Sequence, residues 1–564
     1  MARHPAEDDS KAEDESKTEA GVGVSIGGTT SPKTFKDPAE PAKPKKLSKA
    51  ERKIAKAAQR NQQPQPQEEG AGGDVVARNY GDLPVKFFQT LPATPSPRSW
   101  TEVSELVPDA AGRAVLLRGW AQAIRSVGKK LVFLILRDRL ATVQCIVVRG
   151  DNAKVTDQMV RFVRDLPKES FVEVEGLISL PIKPVNYTSQ QVEVAVTKIF
   201  CISRTKNELP FIFEDAARSR DEFLEAERRG EKLPHVTLDT RLDNRTIDLR
   251  IPVNQAIFNI QSVVDSKFTE FLLSNGFMGI HTPKITPGIS EGGSSVFKLN
   301  YVNGQIASLA QSPQLYKQMA INSGLKNVFE VGTIFRAEKS NTHRHLCEYI
   351  GLHVEMEIKE HYFEVCDLLS TLFVEVFDHL AEKHRAELNI ISKQFPCEPL
   401  KYHKETLKLR YAEGIDMLKD SGFKIEHCDD LSTQAEKKLG QLVRDKYETD
   451  FFILYEFPLG LRPFYTMPCL ENPEYSNSFD AFIRGEEVVS GSQRIHCPDL
   501  LAERIGMCGI DKATLSGFTD TFLLIDKPQP DLSHPRKPGS ASAACKIHYA
   551  KRRFPITSKC HNMH

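Results

Sequence analysis

KNVFEVGTIFRAEKSNTHRHLCEYIGL, residues 326–352, alternates apolar and polar side chains as far as Phe335, breaks into a charged run, then resumes alternation. The two-residue period predicts two strands joined by a polar turn. Residues two apart on a strand share a face, so Arg336 and Glu338 are expected to point into one cleft. A guanidinium there suits a phosphate or a carboxylate. His343, Arg344 and His345 in the turn add donors for anionic oxygens. A surface salt-bridge cluster would use the same residue types, and both readings stand on this stretch alone.

Outward from it, NQAIFNIQSVVDSKFTEFLLSNG has a helical period and EEVVSGSQRIH reads as a strand. Their alternation predicts an α+β domain over 246–522. Upstream come five strand-like runs: AVLLRGWAQAIR, KLVFLILRD, TVQCIVV, FVEVEGLISL and QVEVAVTKIFCIS. The helical stretch AKVTDQMVRFVRDL sits between the third and the fourth. That order is the order of an OB-fold β-barrel, a common reader of single-stranded nucleic acid, over 76–204. A generic small β-barrel is the alternative. Residues 205–245 are charged and turn-rich, and read as a hinge.

The chain has 564 residues, which at roughly 150 per domain predicts three to four domains. Its 75 Lys and Arg balance 75 Asp and Glu, but the sum hides segregation. Residues 1–75 are poor in aromatics and rich in Ala, Pro, Glu, Lys, Gln and Gly, the composition of a disordered extension. Acidic residues crowd positions 7–19, and Lys and Arg crowd 43–60. Ser48 and Glu51 have capping-box spacing, and Lys49, Arg52, Lys53, Lys56 and Arg60 follow on one helical face. Such a stripe either meets phosphates or belongs to a solvated linker helix. No apolar run approaches the ~18 residues of a membrane span, and the N-terminus lacks the apolar region of a secretory signal. The eleven cysteines have no C-x-x-C pair, so free thiols and a cytosolic setting are expected.

The segment 326–352 resembles motif 2 of the class II aminoacyl-tRNA synthetases, and the wider chain resembles the eukaryotic cytoplasmic aspartyl enzymes of that class. RLDNRTIDLR, GFMGIHTPK with Pro283, SEGGSSVF, LAQSPQLYKQ, LVRDKYETDFFIL, RPFYTMP and GEEVVSGSQRIH carry the resemblance in order. It implies an OB barrel hinged to an antiparallel sheet flanked by helices, a homodimer, and ATP, Mg2+, L-aspartate and the aspartate tRNA as cofactors and substrates. Activation of aspartate to the adenylate, then transfer to the tRNA, is the implied reaction. Asparagine-specific charging is the weaker alternative.

By the same resemblance Arg336 lies on the ATP α-phosphate and Glu338 near the adenine and the tRNA end. Arg344 and His345 contact ATP, and Tyr349 stands where a stacking Phe is usual. Glu487 and Ser490 match metal and substrate positions. Lys317 and Arg494 hold the substrate β-carboxylate, with Ser290, Glu291, Gln311 and Gln314 around the ammonium. Arg125, Phe133 and Gln144 match anticodon readers, and the basic stripe matches a lysine-rich tRNA-binding extension. Two departures follow. His353 stands where an Asp is usual. Residues 523–564 lack the glycine-rich motif 3 with its arginine, so the tail reads as a frame-shifted or mis-spliced end that leaves the sheet short of a core strand, the alternative being a diverged, catalytically impaired tRNA-binding paralogue.

Overall fold

The computed structural model describes residues 77–84, 98–150, 154–206, 208–286, 296–338 and 346–510, and the backbone of 539–545. Residues 1–73 form one unit and 74–564 a second, and everything below concerns the second. Ser290, Glu291, Arg344, His345 and the stripe Lys49, Arg52, Lys53, Lys56 and Arg60 lie outside the described residues.

The first region is a barrel. β1 (Tyr80–Asp82) lies beside β6 (Glu193–Ser203), and β2 (Ala114–Val127), β3 (Leu131–Asp138), β4 (Ala141–Val148) and β5 (Phe171–Ser179) complete the sheet. The strand order β1-β6-β4-β3-β2-β5, with β6 also pairing β5, closes it. Alternation puts Val132, Leu134 and Leu136 of β3 into a core shared with Val143, Cys145 and Val147 of β4. The helix Asp157–Arg164, with Thr156 as its cap, plugs that core with Met159, Val160 and Val163. The expected strands and helix are therefore found in the expected order.

Short helices (Phe213–Ala217, Arg220–Arg228, Leu238–Asp243 and Arg245–Asp248) occupy the stretch read as a hinge. Beyond them a helix, Pro252–Ser274, leads into an eight-stranded sheet. Its strands are β7 (Met278–Gly279), β11 (Asn327–Phe335), β12 (Glu348–Ile358), β13 (Leu407–Arg410), β14 (Phe451–Tyr455), β15 (Ser478–Ile483), β16 (Glu486–Gln493) and β17 (Gly539–Cys545). β8 (Ile285–Thr286), β9 (Lys298–Asn300) and β10 (Ile306–Leu309) form a small separate sheet. The large sheet runs β13-β14-β15-β16-β17-β12-β11-β7.

One face of that sheet is apolar. Phe329, Leu352, Val354, Phe451, Phe479 and Val489 pack with Val365, Leu369, Leu372 and Val376 of the helix Phe363–Lys383. On the opposite face, Phe452, Leu454 and Phe482 pack with the helices Tyr411–Asp420 and Thr433–Tyr447. The rest of that second face, over β11, β12 and β16, carries polar residues such as Glu330, His353, Glu355 and Ser492, with Ile334 among them.

The tail corrects one expectation. Gly539–Cys545 runs antiparallel between β12 and β16, pairing Leu352–Ile358 on one side and Val489–Gln493 on the other. The sheet is not short of a strand. Two facing strand edges ask only for extended backbone with free N–H and C=O groups, which a proline-free run of Gly, Ser, Ala and Cys supplies. The low β-propensity of small residues concealed it in the sequence.

Two outcomes follow. Ending the chain after residue 538 should lower stability by several kcal/mol, since each buried backbone group left unpaired costs about 1–3 kcal/mol; an unchanged urea midpoint would contradict the pairing. A Cβ at Gly440, on the helix Thr433–Tyr447, would meet the backbone of Gly485 at 2.4 Å. Gly440→Ala should therefore cost about 1–3 kcal/mol by overpacking, read from the same midpoint.

Candidate active site

β12 alternates cleanly. Leu352 and Val354 enter the core, so Tyr349, Gly351, His353 and Glu355 lie on the polar face. Glu330, Gly332 and Ile334 of β11 sit opposite His353, Gly351 and Tyr349 in register, and share that face.

Glu355 is fully buried, with two cations beside it. Lys317 Nζ stands 3.4 Å from its Oε2 and donates to the Val354 carbonyl at 3.1 Å. Arg494 Nε stands 3.7 Å from its Oε1. Arg494 also donates to Ser492 Oγ at 2.8 Å and Gln314 Oε1 at 2.5 Å, and its guanidinium lies 4.6 Å from the Tyr465 ring centroid. Lys317 reaches in from the helix Gln314–Asn322, and Gln311 is buried just before that helix. Burial pushes the Lys317 ammonium down from 10.5 to about 8, against the pull of Glu355. Two cations on one carboxylate leave room for a second anion.

A glycine pair makes the floor. Gly332 faces Gly351 in register. A Cβ on Gly351 would stand 2.3 Å from His353 Nε2, and one on Gly332 would stand 2.9 Å from Glu330 Oε1. The missing side chains let His353 and Glu330 lie low over the sheet. Glu330 accepts from Lys284 Nζ at 2.6 Å, Thr282 N at 3.1 Å and Thr282 Oγ at 2.7 Å, and so fastens the HTPK segment beneath β11. Neither Glu355 nor this glycine pair stood out in the sequence; the L-x-V-x-M alternation that places His353 and Glu355 together in LHVEME was the available signal.

Arg336 and Glu338 lie at the end of β11, which stops at Phe335. The Arg336 amide still bonds Cys347 across the turn at 2.9 Å, but the Glu338 amide bonds back to the Arg336 carbonyl at 2.8 Å. That tight turn leaves the extended conformation, so strand alternation does not set the direction of Glu338. Glu487 and Ser490 come from β16. The register slips beside Ala481, pairing Phe482 with Glu487 and leaving Val488 as the extra residue. The bulge turns Glu487 onto the face of Asp480 and Ser490. Asp480 is held by Arg462 at 2.8 and 3.1 Å, and Arg462 also donates to Ser490 Oγ at 3.3 Å. Burial raises the Asp480 carboxyl above its usual range, Arg462 opposes this, and Glu487 adds to it. Among the described residues no group of three or more His, Cys, Asp or Glu could hold a metal. Glu487 and Ser490 supply the hard oxygens that a divalent ion shared with phosphates would need.

On the barrel, Arg125 and Phe133 face each other across β2 and β3. Gln144 of β4 pairs Ile135, two residues from Phe133 on the same face. Tyr187 donates to Gln144 Oε1 at 2.6 Å, and Gln144 donates to Glu193 at 2.5 Å. Tyr187, two-thirds exposed, was missed because it lies in an irregular loop. The expected residues therefore form two groups: Arg336, Glu338, Tyr349, Glu487, Ser490, Gln311, Gln314, Lys317 and Arg494 in the sheet region, and Arg125, Phe133 and Gln144 on the barrel.

Residues 237–525 match the family model for class II tRNA synthetases (D, K and N), and residues 115–202 match one for an OB-fold nucleic acid binding domain. The chain is 48% identical over 458 residues to the Arabidopsis thaliana aspartate–tRNA ligase 2, cytoplasmic, covering 80% of this chain and 82% of that one. It is 44% identical over 468 residues to the human cytoplasmic aspartate–tRNA ligase, covering 83% and 91%. Among solved structures, an aspartyl tRNA synthetase from Entamoeba histolytica aligns at TM-score 0.73 and 39% identity, covering 83% and 92%. An asparaginyl-tRNA synthetase from Pyrococcus horikoshii aligns at 0.65 and 25%, covering 80% and 94%.

The depressed Lys317 value fixes a pH dependence. A lysine neutral above about 8 cannot pair an incoming carboxylate, so aspartate affinity should fall roughly tenfold per unit above pH 8. The effect on stability has the opposite sign: between about 8 and 10.5 the unfolded chain holds a proton that the folded site has released, so raising pH favours the fold. Titration calorimetry with aspartate from pH 7 to 9.5 checks the first; a flat profile would contradict it.

Proposed function

The chain belongs to the class II aminoacyl-tRNA synthetases of the aspartate, lysine and asparagine group, and we propose that it ligates L-aspartate to its tRNA through an aspartyl-adenylate. The observation that carries the choice of amino acid is the Lys317–Glu355–Arg494 arrangement. A side-chain carboxylate brought to it completes the charge balance. A neutral carboxamide leaves a buried cation underpaired, which is costly.

With the β-carboxylate anchored there, Gln311 and Gln314 border the backbone end of the amino acid. An oxygen of the aspartate α-carboxylate attacks the α-phosphorus of ATP, the bond to the bridging oxygen breaks, and pyrophosphate leaves. Arg336 meets the charge that grows on the α-phosphate, the kind of contact worth most in the transition state. Tyr349 offers an aromatic face to adenine, and Glu338 an acceptor for its amino group. Arg344 and His345 join them as ATP contacts, and Ser290 and Glu291 as aspartate contacts, on the motif resemblance alone. Glu487 and Ser490 would hold a Mg2+ ion, which would supply charge neutralisation on the phosphates. In the second step the terminal 3′-hydroxyl of the tRNA attacks the adenylate carbonyl and AMP departs.

His353 contributes no negative charge for the substrate ammonium, and Glu330 beside it is already engaged by Thr282 and Lys284. The tail from 523 has no G-x-G-x-G-x-x-R pattern, so the triphosphate lacks an arginine of that kind. Both features point to slow activation. Stacking on Phe133, with Arg125 and Gln144 beside it, serves anticodon reading. The Lys49–Arg60 stripe adds phosphate contacts. Exposed Phe258, Met278, Ile285 and Ile306 support a homodimer. Cytoplasmic location follows the named relatives, and among the described residues no helix is long and apolar enough to cross a membrane.

Aspartate-dependent ATP–pyrophosphate exchange should be measurable. It should rise about 10²–10³ when residues 523–564 are replaced by a motif 3-bearing end, the usual worth of one such contact. Lys317→Gln should abolish exchange with aspartate. Exchange driven better by asparagine than by aspartate in the parent chain would overturn the assignment.

A further inference from the structure

A second buried charge cluster, sharing no residue with the sheet site, lies where the barrel meets the segment RLDNRTIDLR. Glu169 is 1% exposed and precedes β5. Its carboxylate accepts a two-pronged pair from Arg137 at 3.0 and 2.7 Å, and a further bond from Arg250 at 3.3 Å. Arg137 is equally buried, at the end of β3. Arg250 belongs to the other side, one residue before Ile251, which packs with Phe211, Phe213 and Val253.

The aromatic contacts repeat this crossing. The Arg250 guanidinium lies 3.5 Å from the ring centroid of Trp120 on β2, and Trp120 packs at 4.8 Å on Phe171 of β5. The Arg137 guanidinium lies 5.0 Å from the ring of Phe213, which starts the first hinge helix. That helix is fastened in turn by Gln394, which donates to the Ala216 carbonyl at 3.0 Å. Each side therefore sends a guanidinium onto an aromatic ring of the other.

Glu169 is also held at a backbone cost. Its φ is +62°, a left-handed conformation that non-glycine residues avoid. The bonds Glu169 N to Ala121 O and Ala121 N to Ser170 O, both 2.8 Å, keep it there. A conformation maintained against its intrinsic preference, to aim one carboxylate between two arginines, marks that carboxylate as the pivot.

We propose that Arg137, Glu169 and Arg250 form an interdomain clamp that fixes the barrel against the catalytic region and so positions a bound tRNA for charging. The clamp lies on the strand that carries the barrel's reading face. Phe133 and Arg137 share one face of β3, four residues and roughly 13 Å apart. On the far side, Arg250 follows Asp248, which receives Arg241 at 2.5 Å and also pairs with Arg245 just before the helix Pro252–Ser274 begins. A rigid path therefore runs from Phe133 through the clamp to the helix that enters the catalytic sheet. All three are positioning residues, and none touches the reacting atoms.

This inference rests on the proposed ligase activity, and the experiment separates the two. Arg250→Gln leaves the Arg137–Glu169 pair intact within the barrel, so that variant should fold; Arg250→Lys keeps a charge but not the flat guanidinium over Trp120. Aspartate-dependent exchange, which needs no tRNA, should stay within twofold of the parent in both. The kcat/KM for tRNA charging should fall at least tenfold in Arg250→Gln, mainly through kcat, with partial recovery in Arg250→Lys. Equal losses in exchange and charging, or no loss in either, would overturn the clamp. If the parent shows no exchange, the ligase reading fails and the clamp is judged by the distance between fluorophores on the barrel and on the catalytic region. A broader distribution in Arg250→Gln would support it, and an unchanged one would overturn it.

Discussion

A single buried carboxylate organises the sheet site. Glu355 sits on β12 with no exposure, where an ionised group survives only if cations are brought to it. Lys317 comes from a helix lying over the sheet and Arg494 from just beyond β16, on the other side of the intervening β17. Glu355 and Ser492 occupy the same row, with residue 542 between them in register. The spacing of the pocket is thus set by the order of strands. Whatever fills the slot between β12 and β16 decides whether Glu355 and Arg494 meet.

Charge placement does similar work twice in this chain. At the sheet, two cations against one carboxylate leave a demand for an anionic ligand. At the junction with the barrel, two arginines against Glu169 leave no such opening, because Trp120 and Phe213 cover the guanidinium faces. The first arrangement suits the selection of a ligand we propose for it; the second joins two parts of the molecule. Both use arginine where a flat, forked donor is needed, and lysine appears where a single buried ammonium suffices.

Much of this was legible in the sequence. The barrel strands announce themselves by two-residue alternation, as in KLVFLILRD, and the helix between the third and fourth strands fixes their order. Lys317, Arg494, Gln311 and Gln314 stand out through LAQSPQLYKQ and SGSQRIH; Lys317 and Arg494 meet at Glu355, Arg494 bonds Gln314, and Gln311 is buried just before the helix that carries Lys317. Other features depend on pairings that no local pattern states. Glu355 reads as one more polar residue of an alternating strand, and its importance arises only when Lys317 and Arg494 arrive from distant segments. The bulge at Val488 turns Glu487 by breaking the period that a sequence reader relies on. The strand at 539–545 has too little β-propensity to be seen alone, and only the two waiting edges give it a place. Glu338 was expected on a strand, and a tight turn takes it off one.

If Lys317, Glu355 and Arg494 hold the substrate side chain as proposed, the pocket demands a negative one. Titration calorimetry with L-aspartate and L-asparagine, each in the presence of a non-hydrolysable ATP analogue at pH 7, tests it most directly. Aspartate should bind at least about a hundredfold more tightly, as expected when one ligand pairs a buried charge and the other leaves it exposed to no partner. Equal affinities, or tighter binding of asparagine, would contradict the role given to Lys317, Glu355 and Arg494.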